Sequence, residues 1–487
     1  MDNSVFKIIS QMTKAEKEYF TKYRKVFKES SDSNYFYLYE QINKKGTFNI
    51  DDIKNKKSGS SLIKNISAEK NRLLEKILLS LINYKYVGSH SWQIQKDLQF
   101  IQILIEKELI DKAEKIIKRI KLIAYQHEEF EFVLLIISLE MQLCFKNCFI
   151  LDYEKFKVLI EERKKINEII DNINYLLLIK SELQLYQFNE STMYFNNNHF
   201  MKIYGHTSQI SEELVLSNKA RKVWLYINNI IYFMQNDHKM GFQANYQQYE
   251  LYKSNPMFFT KGEYLQLINN FLYSCALTKD EKMFNILIDE MLNLKNISKQ
   301  EEFYITQTQY LRTLELYHQL GKYNEAERLA SEAEIFIKNI KNLDNTYLIR
   351  YLQLLIIRAY IESKNFNQAI LISQIRYKTR GYEFNSSMYK LFEFIAHYKL
   401  GNADNLLYSV NSWAKTIQGK RKQFLIEKVL IRFFRSSCNK INNDERKHLL
   451  TNVVNQLKEL EKNELKYYIN LFFDFTAWFE KELNELN

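Results

Sequence analysis

A short phrase at Leu320–Ala326 constrains the fold of this chain more than any other feature. It reads Leu-Gly-Lys-Tyr-Asn-Glu-Ala, and weaker versions of it occur both upstream and downstream. Gly321 stands where a positive φ can end one helix, and Tyr323 and Ala326 stand where a second helix can begin. The phrase therefore predicts a tight turn between two helices, and its recurrence predicts a stacked helical repeat.

The helices on the two sides of this turn have complementary faces. Residues at i, i+4 and i+7 are large before the turn and small after it. The large ones are Tyr310, Leu314 and Tyr317, and the small ones are Ala326, Ala330 and Ala333. Small side chains let a neighbouring helix approach closely, and aromatic rings fill the space beside them. We expect two antiparallel helices that cross at the alanines.

Further copies of the phrase extend this pattern along the chain. Clear copies lie at Ala359–Ala369 and Ala396–Ala403, an early one at Glu106–Ala113, and a faint one at Ala276–Phe284. A large residue in the first helix, a Gly-x-Tyr turn and small residues in the second are typical of the tetratricopeptide repeat (TPR) family, which this part of the chain resembles.

The spacing of the copies is longer than in that family. Tyr323 and Phe366 are 43 residues apart, and Phe366 and Ala403 are 37 apart, whereas the family period is about 34 residues. The resemblance is therefore to the wider TPR-like superfamily. It implies an all-α chain folded as a right-handed α-solenoid of TPR-like helix pairs. An irregular helical bundle is the alternative.

The low content of proline and glycine agrees with long helices. It contains 1 Pro and 10 Gly in 487 residues, far below the usual content of about 5% and 7%. A β-sandwich or a Rossmann sheet would need many more such turns. We expect a helical N-terminal module at 1–90 and the TPR-like solenoid at 91–487. An irregular connection is expected near 186–211, where the chain contains Asn196-Asn197-Asn198 and Gly205.

The N-terminal module has its own signals. Thr13 and Glu16 form a capping-box pattern, and residues 1–85 carry 17 Lys and Arg against 10 Asp and Glu. The stretch Glu16–Phe20 resembles the opening helix of long TPR-like proteins of Bacteroidota, a likeness that implies no function. Met1–Gln11 has no apolar core of signal-peptide length, and no apolar stretch reaches the length of a membrane span. We therefore expect a cytoplasmic protein without membrane contact.

The resemblance implies where a partner would bind. In TPR proteins the first helix of each pair lines a concave groove. Carried over to this chain, the groove positions are Thr308, Leu311, Glu315, His318, Gln319, Arg358, Glu362, Tyr398 and Lys399. Their mixture of charges and amides suits a protein or peptide partner. The alternative is that they are ordinary solvated helix positions.

A second basic region lies near the C-terminus. Residues 412–449 carry 10 Lys and Arg against 3 Asp and Glu. A candidate stripe for contact with anions or phosphates consists of Arg421, Lys428, Arg432 and Arg435, spaced 7, 4 and 3 residues apart on one helical face. Such a stripe can neutralise phosphates, although a solvated face on a basic protein is the alternative.

Signals for catalysis are weak. The 8 His and 4 Cys form no zinc spacing, and no phosphate loop, nucleophile elbow or dinucleotide fingerprint occurs. We expect no enzyme, no cofactor and no metal. The sequence predicts a scaffold or adaptor that binds a protein or peptide. The alternative is a nucleic-acid-linked regulator with a basic N-terminal module and a peptide-sensing solenoid.

Overall fold

A computed structural model describes most of the chain. The described residues are 4–26, 34–45, 65–86, 90–146, 150–188, 211–339, 347–374, 383–418, 425–439, 442–460 and 473–486. Within these ranges the fold is helical, with 21 α-helices. The expectation of an all-α chain is confirmed, apart from one antiparallel pair of two-residue strands, β1 (Phe145–Lys146) and β2 (Ile150–Leu151).

Ten of the described helices begin in the first half of the chain. Their bounds are α1 Ser4–Gln11, α2 Lys14–Val26, α3 Asn34–Lys45, α4 Ile66–Tyr86, α5 His90–Glu106, α6 Ile110–Gln126, α7 Phe130–Leu143, α8 Tyr153–Phe188, α9 Asn218–Met234 and α10 His238–Ser254. The capping box that opens α2 is present, since the backbone N–H of Thr13 donates to Glu16 Oε2 at 2.8 Å and that of Glu16 donates to Thr13 Oγ1 at 3.3 Å.

The helices of the second half continue to the C-terminus. Their bounds are α11 Lys261–Thr278, α12 Glu281–Leu292, α13 Lys299–Leu320, α14 Tyr323–Lys338, α15 Tyr347–Glu362, α16 Phe366–Ser373, α17 Glu383–Lys399, α18 Ala403–Gln418, α19 Leu425–Ser437, α20 Asn443–Leu460 and α21 Phe475–Asn484.

One turn recurs between consecutive helices. At each occurrence a residue with positive φ follows the first helix, and the second helix begins two residues later. The residues with positive φ at these turns are Glu108, Glu128, Asn236, Lys279, Gly321, Lys364 and Gly401. The prediction that Gly321 ends a helix in the left-handed conformation is confirmed, because its φ is +70°.

The same pair of backbone hydrogen bonds closes this turn. At Gly321, its N–H donates to the carbonyl of His318, and the N–H of Lys322 donates to the carbonyl of Tyr317. At the next such turn, the N–H of Lys364 donates to the carbonyl of Ile361, and the N–H of Asn365 donates to the carbonyl of Tyr360. This is the Schellman arrangement, which satisfies carbonyls left free at a helix end.

Helix packing follows chain order. From α9 to α20, the main contacts of each helix are with the next helix or with the one after it. First helices of successive pairs touch directly, as α11 with α13, α13 with α15 and α15 with α17. Ala326, Ala330 and Ala333 are all fully buried, as expected at a close helix crossing.

The apolar core is divided along the chain. α1 to α4 share a cluster that includes Ile9, Leu38 and Ile77. A separate cluster joins α5 to α8, and the largest runs from α13 to the C-terminal helix α21, where Phe475 and Phe479 are fully buried. None of the described helices is both long enough and apolar enough to cross a membrane.

The predicted irregular connection at 186–211 falls mainly outside the described residues. α8 continues through Phe188, and the described chain resumes at Ser211. Glu128, which lies between α6 and α7, contacts the start of α9. Its carboxylate accepts hydrogen bonds from the backbone N–H groups of Asn218 and Lys219 at 2.9 and 2.7 Å. An anionic group at this position stabilises the N-terminus of α9.

Candidate functional site

The predicted groove positions divide into two groups in the structure. Thr308 and Leu311 are 2% and 1% exposed and lie inside the helix packing. A partner therefore cannot reach either side chain in this structure. The other positions include five that line two clefts sharing Arg358, namely Glu315, Gln319, Arg358, Glu362 and Lys399, whereas His318 and Tyr398 line neither cleft.

Glu315 belongs to a buried polar network between three first helices. Its Oε2 accepts from Arg312 Nη1 at 2.7 Å, and its Oε1 accepts from the Tyr351 hydroxyl at 2.5 Å. Arg312 also donates from Nε to Asn269 Oδ1 at 2.8 Å, and its guanidinium lies 4.7 Å from the ring centre of Tyr273. These contacts tie α11, α13 and α15 together.

Two pKa shifts describe this network. Burial opposes the positive charge of Arg312, but Glu315 outweighs that effect and raises the pKa of Arg312 above its ordinary value. Burial, and then the negative charge of Glu315, raise the pKa of the Tyr351 hydroxyl well above its usual range. Tyr351 is therefore a permanent hydrogen-bond donor, and Arg312 and Glu315 form a buried ion pair.

A second network centres on Glu362. Its Oε2 lies 2.5 Å from His318 Nδ1, and its Oε1 accepts from Arg358 Nε at 2.8 Å. Burial opposes the carboxylate charge, but Arg358 and His318 outweigh it and lower the pKa of Glu362 to about 2. Both carboxylate oxygens are thus occupied within the protein.

His318 lies between two hydrogen-bond acceptors. Its Nε2 is 3.3 Å from the carbonyl oxygen of Leu355, while Nδ1 faces Glu362. Burial lowers the pKa of His318 from its ordinary value of 6.5. The positive charge of Arg358 lowers this pKa further, and Glu362 offsets only part of the decrease. A neutral histidine ring has one N–H group, and this group donates its hydrogen bond to the charged carboxylate of Glu362.

The smaller cleft lies against the first network. It holds about 20 Å³ and is lined by Tyr273, Ala276, Leu277, Glu315, Gln319, Tyr351, Leu355 and Arg358. That volume accommodates about one water molecule. Of the predicted positions, Glu315, Gln319 and Arg358 line this cleft, and Gln319 has intermediate exposure.

The larger cleft lies between α15 and the C-terminal helix α21 and holds about 240 Å³. Its aromatic and apolar lining residues are Tyr323, Ile361, Phe366, Phe473, Ala477 and Trp478. Its charged lining residues are Arg358, Glu362, Lys364, Lys399, Asp474, Lys481, Glu482 and Glu485. The structure therefore brings three predicted groove residues, Arg358, Glu362 and Lys399, into one cleft.

Lys399 and Tyr398 fix the C-terminal helix. Lys399 Nζ donates to Glu482 Oε1 at 2.6 Å, and Glu482 is only 6% exposed. The hydroxyl of Tyr398 accepts from Arg446 Nη2 at 3.0 Å, and its ring packs on Trp478. Both residues hold α21 in place, so Lys399 shapes the cleft wall, and Tyr398 lies behind it.

The predicted basic stripe is partly described. Lys428, Arg432 and Arg435 are all exposed on α19, and Arg435 Nε donates to Asn411 Oδ1 on α18 at 2.9 Å. Arg421 lies outside the described residues. The three described members share one face, as their spacing predicts.

Sequence reasoning missed Arg312, Tyr351 and the residues of α21. The contact of Tyr351 with Glu315 joins positions 36 residues apart, and that of Lys399 with Glu482 joins positions 83 residues apart. Local sequence patterns do not predict contacts over such separations. The one available signal was Asp474, whose carboxylate accepts from the N–H of Ala477 at 2.8 Å and caps α21.

No group of three or more His, Cys, Asp or Glu side chains in the described ranges is arranged to hold a metal ion. The thiols of Cys144 and Cys275 are buried, and Cys148 lies outside those ranges. Comparison of the chain with protein-family models, with curated proteins and with solved structures found no match.

Proposed function

We propose that this chain is a non-catalytic scaffold that binds a protein or peptide in the larger cleft. In this proposal the helix pairs form a right-handed, TPR-like α-solenoid in the cytoplasm, and the first helices supply one wall of the binding groove. The observation that carries the proposal is the meeting of Arg358, Glu362 and Lys399 with four aromatic rings in one cleft of about 240 Å³.

The packing pattern supports the solenoid. Each helix from α9 to α20 contacts mainly its neighbours in the chain, and successive first helices touch one another. That is the contact pattern of a repeat protein, in which each pair stacks on the next. The turns at Asn236, Lys279, Gly321 and Lys364 are 43, 42 and 43 residues apart, which supports a regular unit.

The chemistry of the larger cleft supports a peptide ligand. Tyr323 is 41% exposed, and Phe366 and Trp478 are partly exposed, so aromatic surface is available to an apolar side chain. Lys364 and Lys481 are exposed and have no ion-pair partner among the described residues. Such a cleft favours a segment that carries an apolar or aromatic side chain beside a carboxylate.

The titratable groups near the clefts support binding rather than catalysis. Glu315 and Glu362 each have both carboxylate oxygens engaged within the protein. His318 is 5% exposed, and the cleft beside Glu315 holds about 20 Å³. A general base must have a free acceptor within hydrogen-bond distance of the proton that it removes, and hydrogen bonds within the protein already occupy the carboxylate oxygens of Glu315 and Glu362.

Panning a random-peptide phage library against the full-length protein tests the proposal. Enriched peptides are then titrated against a variant with the paired changes Lys364→Glu and Lys481→Glu. Both side chains are exposed, and Glu108 and Glu128 show that glutamate adopts the left-handed turn conformation of Lys364. We expect peptide affinity to fall by about tenfold or more, because two attractive charges become repulsive.

A matched variant, Lys239→Glu with Lys282→Glu, controls for the change in net charge. Both lysines are exposed near helix N-termini outside the cleft. The proposal would be contradicted if the peptides bound wild type and both variants with equal affinity, or if the library yielded no binding peptide. Arg358→Ala and His318→Ala are poor probes, since both side chains hold the fold together.

The alternative of a nucleic-acid-linked regulator with a basic N-terminal module stays a prediction of the sequence. A gel shift with the full-length protein at low and high salt tests it, because phosphate contacts weaken steeply with salt.

A further inference from the structure

We propose that a basic face on α18 and α19 binds single-stranded nucleic acid through its phosphates. This basic face consists of Tyr408 and Lys415 on α18 and Lys428, Arg432 and Arg435 on α19. It is separate from the larger cleft, whose lining includes none of these residues.

The exposed side of α19 is entirely basic. From Ile426 to Ser437, the exposed residues are Lys428, Arg432 and Arg435. Because they lie at i, i+4 and i+7, they form one row about 10 Å long. Lys428 and Arg432 have no ion-pair partner among the described residues, and Arg435 is held by the neutral amide of Asn411. Their positive charges are therefore not neutralised by the protein.

α18 extends the row sideways. It is joined to α19 by six residues and packs against it, so the two helices run antiparallel. The hydrogen bond from Arg435 to Asn411 sets their register. Tyr408 and Lys415 are both exposed and lie seven residues apart, so they share one face of α18.

Acidic residues are few in this part of the sequence. Residues 405–443 contain eight Lys and Arg and a single carboxylate, that of Glu427. Glu427 is 0% exposed, so it does not offset the surface charge. The described cations Lys415, Lys428, Arg432 and Arg435 therefore attract polyanions.

Two observations favour nucleic acid over an anionic membrane. A helix that binds a bilayer surface inserts its apolar face, but the apolar face of α19 is used inside the protein, where Leu430 and Phe434 are 0% exposed. Tyr408 is 78% exposed beside the basic row. An unburied aromatic ring next to cations is the arrangement that binds single strands, since bases stack on the ring while phosphates meet the charges.

Fluorescence anisotropy with a labelled oligouridylate of about 16 nucleotides tests the proposal. We expect the full-length protein to bind at about 50 mM salt and to weaken strongly by about 200 mM. The variant with Lys428→Gln, Arg432→Gln and Arg435→Gln should bind about tenfold more weakly or worse. Its salt slope should be smaller by about two, because each lost phosphate contact removes about 0.7 from the slope for single strands.

Tyr408→Ala separates stacking from charge. It should weaken binding by about fivefold or more while leaving the salt slope unchanged. The matched charge control is Lys7→Gln, Lys14→Gln and Lys22→Gln, which removes three exposed lysines from the N-terminal module. This control should bind within about twofold of wild type. Circular dichroism of each variant verifies that it is folded.

Three outcomes would overturn the proposal. The first is that wild type does not bind the oligonucleotide at about 50 mM salt. The second is that the N-terminal control loses as much affinity as the α19 variant, which would move the site to the N-terminal module. The third is binding to phosphatidylserine vesicles without any binding to the oligonucleotide, which would assign the face to membranes.

Discussion

His318 Nδ1 and Glu362 Oε2 lie 2.5 Å apart, and they join the first helices of two successive pairs, α13 and α15. Glu362 is held on its other side by Arg358. The carboxylate therefore accepts hydrogen bonds from two helices at once while it remains largely excluded from water. This bond acts together with two other buried polar contacts between α13 and α15, those of Tyr351 with Glu315 and of His318 Nε2 with the Leu355 carbonyl.

The change His318→Ala should destabilise the protein by about 2 to 4 kcal/mol, because it leaves a cavity and removes a donor from a buried carboxylate. Urea unfolding followed by circular dichroism measures the loss. His448→Ala is a suitable control, since His448 is exposed on α20 apart from this network. An equal loss for both variants would contradict the role assigned to His318.

Acidification should weaken the fold in two steps. The pKa of His318 lies below its ordinary value of 6.5 in the folded protein, so below that pH the unfolded chain binds a proton that the folded protein rejects. Glu362 has a folded pKa of about 2 against an ordinary 4.5, so its contribution is complete above 4.5 and is lost as the pH falls towards 2.

Urea midpoints at a series of pH values measure these two steps. His318→Gln should flatten the profile between neutral pH and about pH 5, where the ordinary pKa of histidine dominates. It should leave the decline at lower pH, to which Glu362 contributes. A His318→Gln profile that follows wild type throughout would rule out a contribution of His318 to the first step.

The left-handed turn at Gly401 should resist side chains for conformational reasons alone. Its φ is +71°, and a Cβ at this position would have no atom within 4 Å. Gly401→Ala should therefore cost about 1 kcal/mol through backbone strain, and Gly401→Asn should cost less, because asparagine tolerates this conformation. Urea unfolding measures both.

Gly262 provides the opposite case. It lies within α11, where a Cβ would also meet nothing within 4 Å, and its φ is not positive. Gly262→Ala should stabilise the protein by about 0.5 to 1 kcal/mol. If both alanine variants shift stability in the same direction, backbone conformation is not the cause.

Ala330 should not accept a larger side chain. It is fully buried in the main core cluster, and Ala330→Leu should cost about 1 to 3 kcal/mol or more through overpacking. Arg328→Leu, at an exposed position on the same helix, should change stability by no more than about 0.5 kcal/mol. Thermal unfolding of the two variants distinguishes the positions, and a tolerated leucine at 330 would show that the crossing has spare room.

Local sequence patterns predicted the turns between helices well where glycine or a close copy of the phrase was present. The turns at Gly321, Lys364 and Gly401 were found in this way. The turns at Glu128 and Asn236 were not, because the left-handed conformation there is adopted by residues that carry no glycine signal. The periodicity of apolar residues predicts that a segment is helical. Packing of the surrounding helices determines whether a non-glycine residue adopts a positive φ.

The candidate site was predicted less completely. Periodicity shows that Thr308, Leu311 and Glu315 share a face, but it does not show whether a neighbouring helix covers that face. α15 and α11 pack against α13 and bury these positions. The wall formed by α21 depends on contacts such as Lys399 to Glu482, 83 residues apart, which a single sequence does not reveal.

The recurring turn has a consequence for how a chain of this kind can change in length. The same pair of backbone hydrogen bonds closes each turn, and Glu, Asn, Lys and Gly all occupy its position of positive φ. Removing one helix pair together with its turn leaves every other turn unaltered, whereas removing half a pair exposes an apolar face. Insertions and deletions should therefore be inherited as whole pairs, in steps of 42 to 43 residues in the region from Asn236 to Lys364.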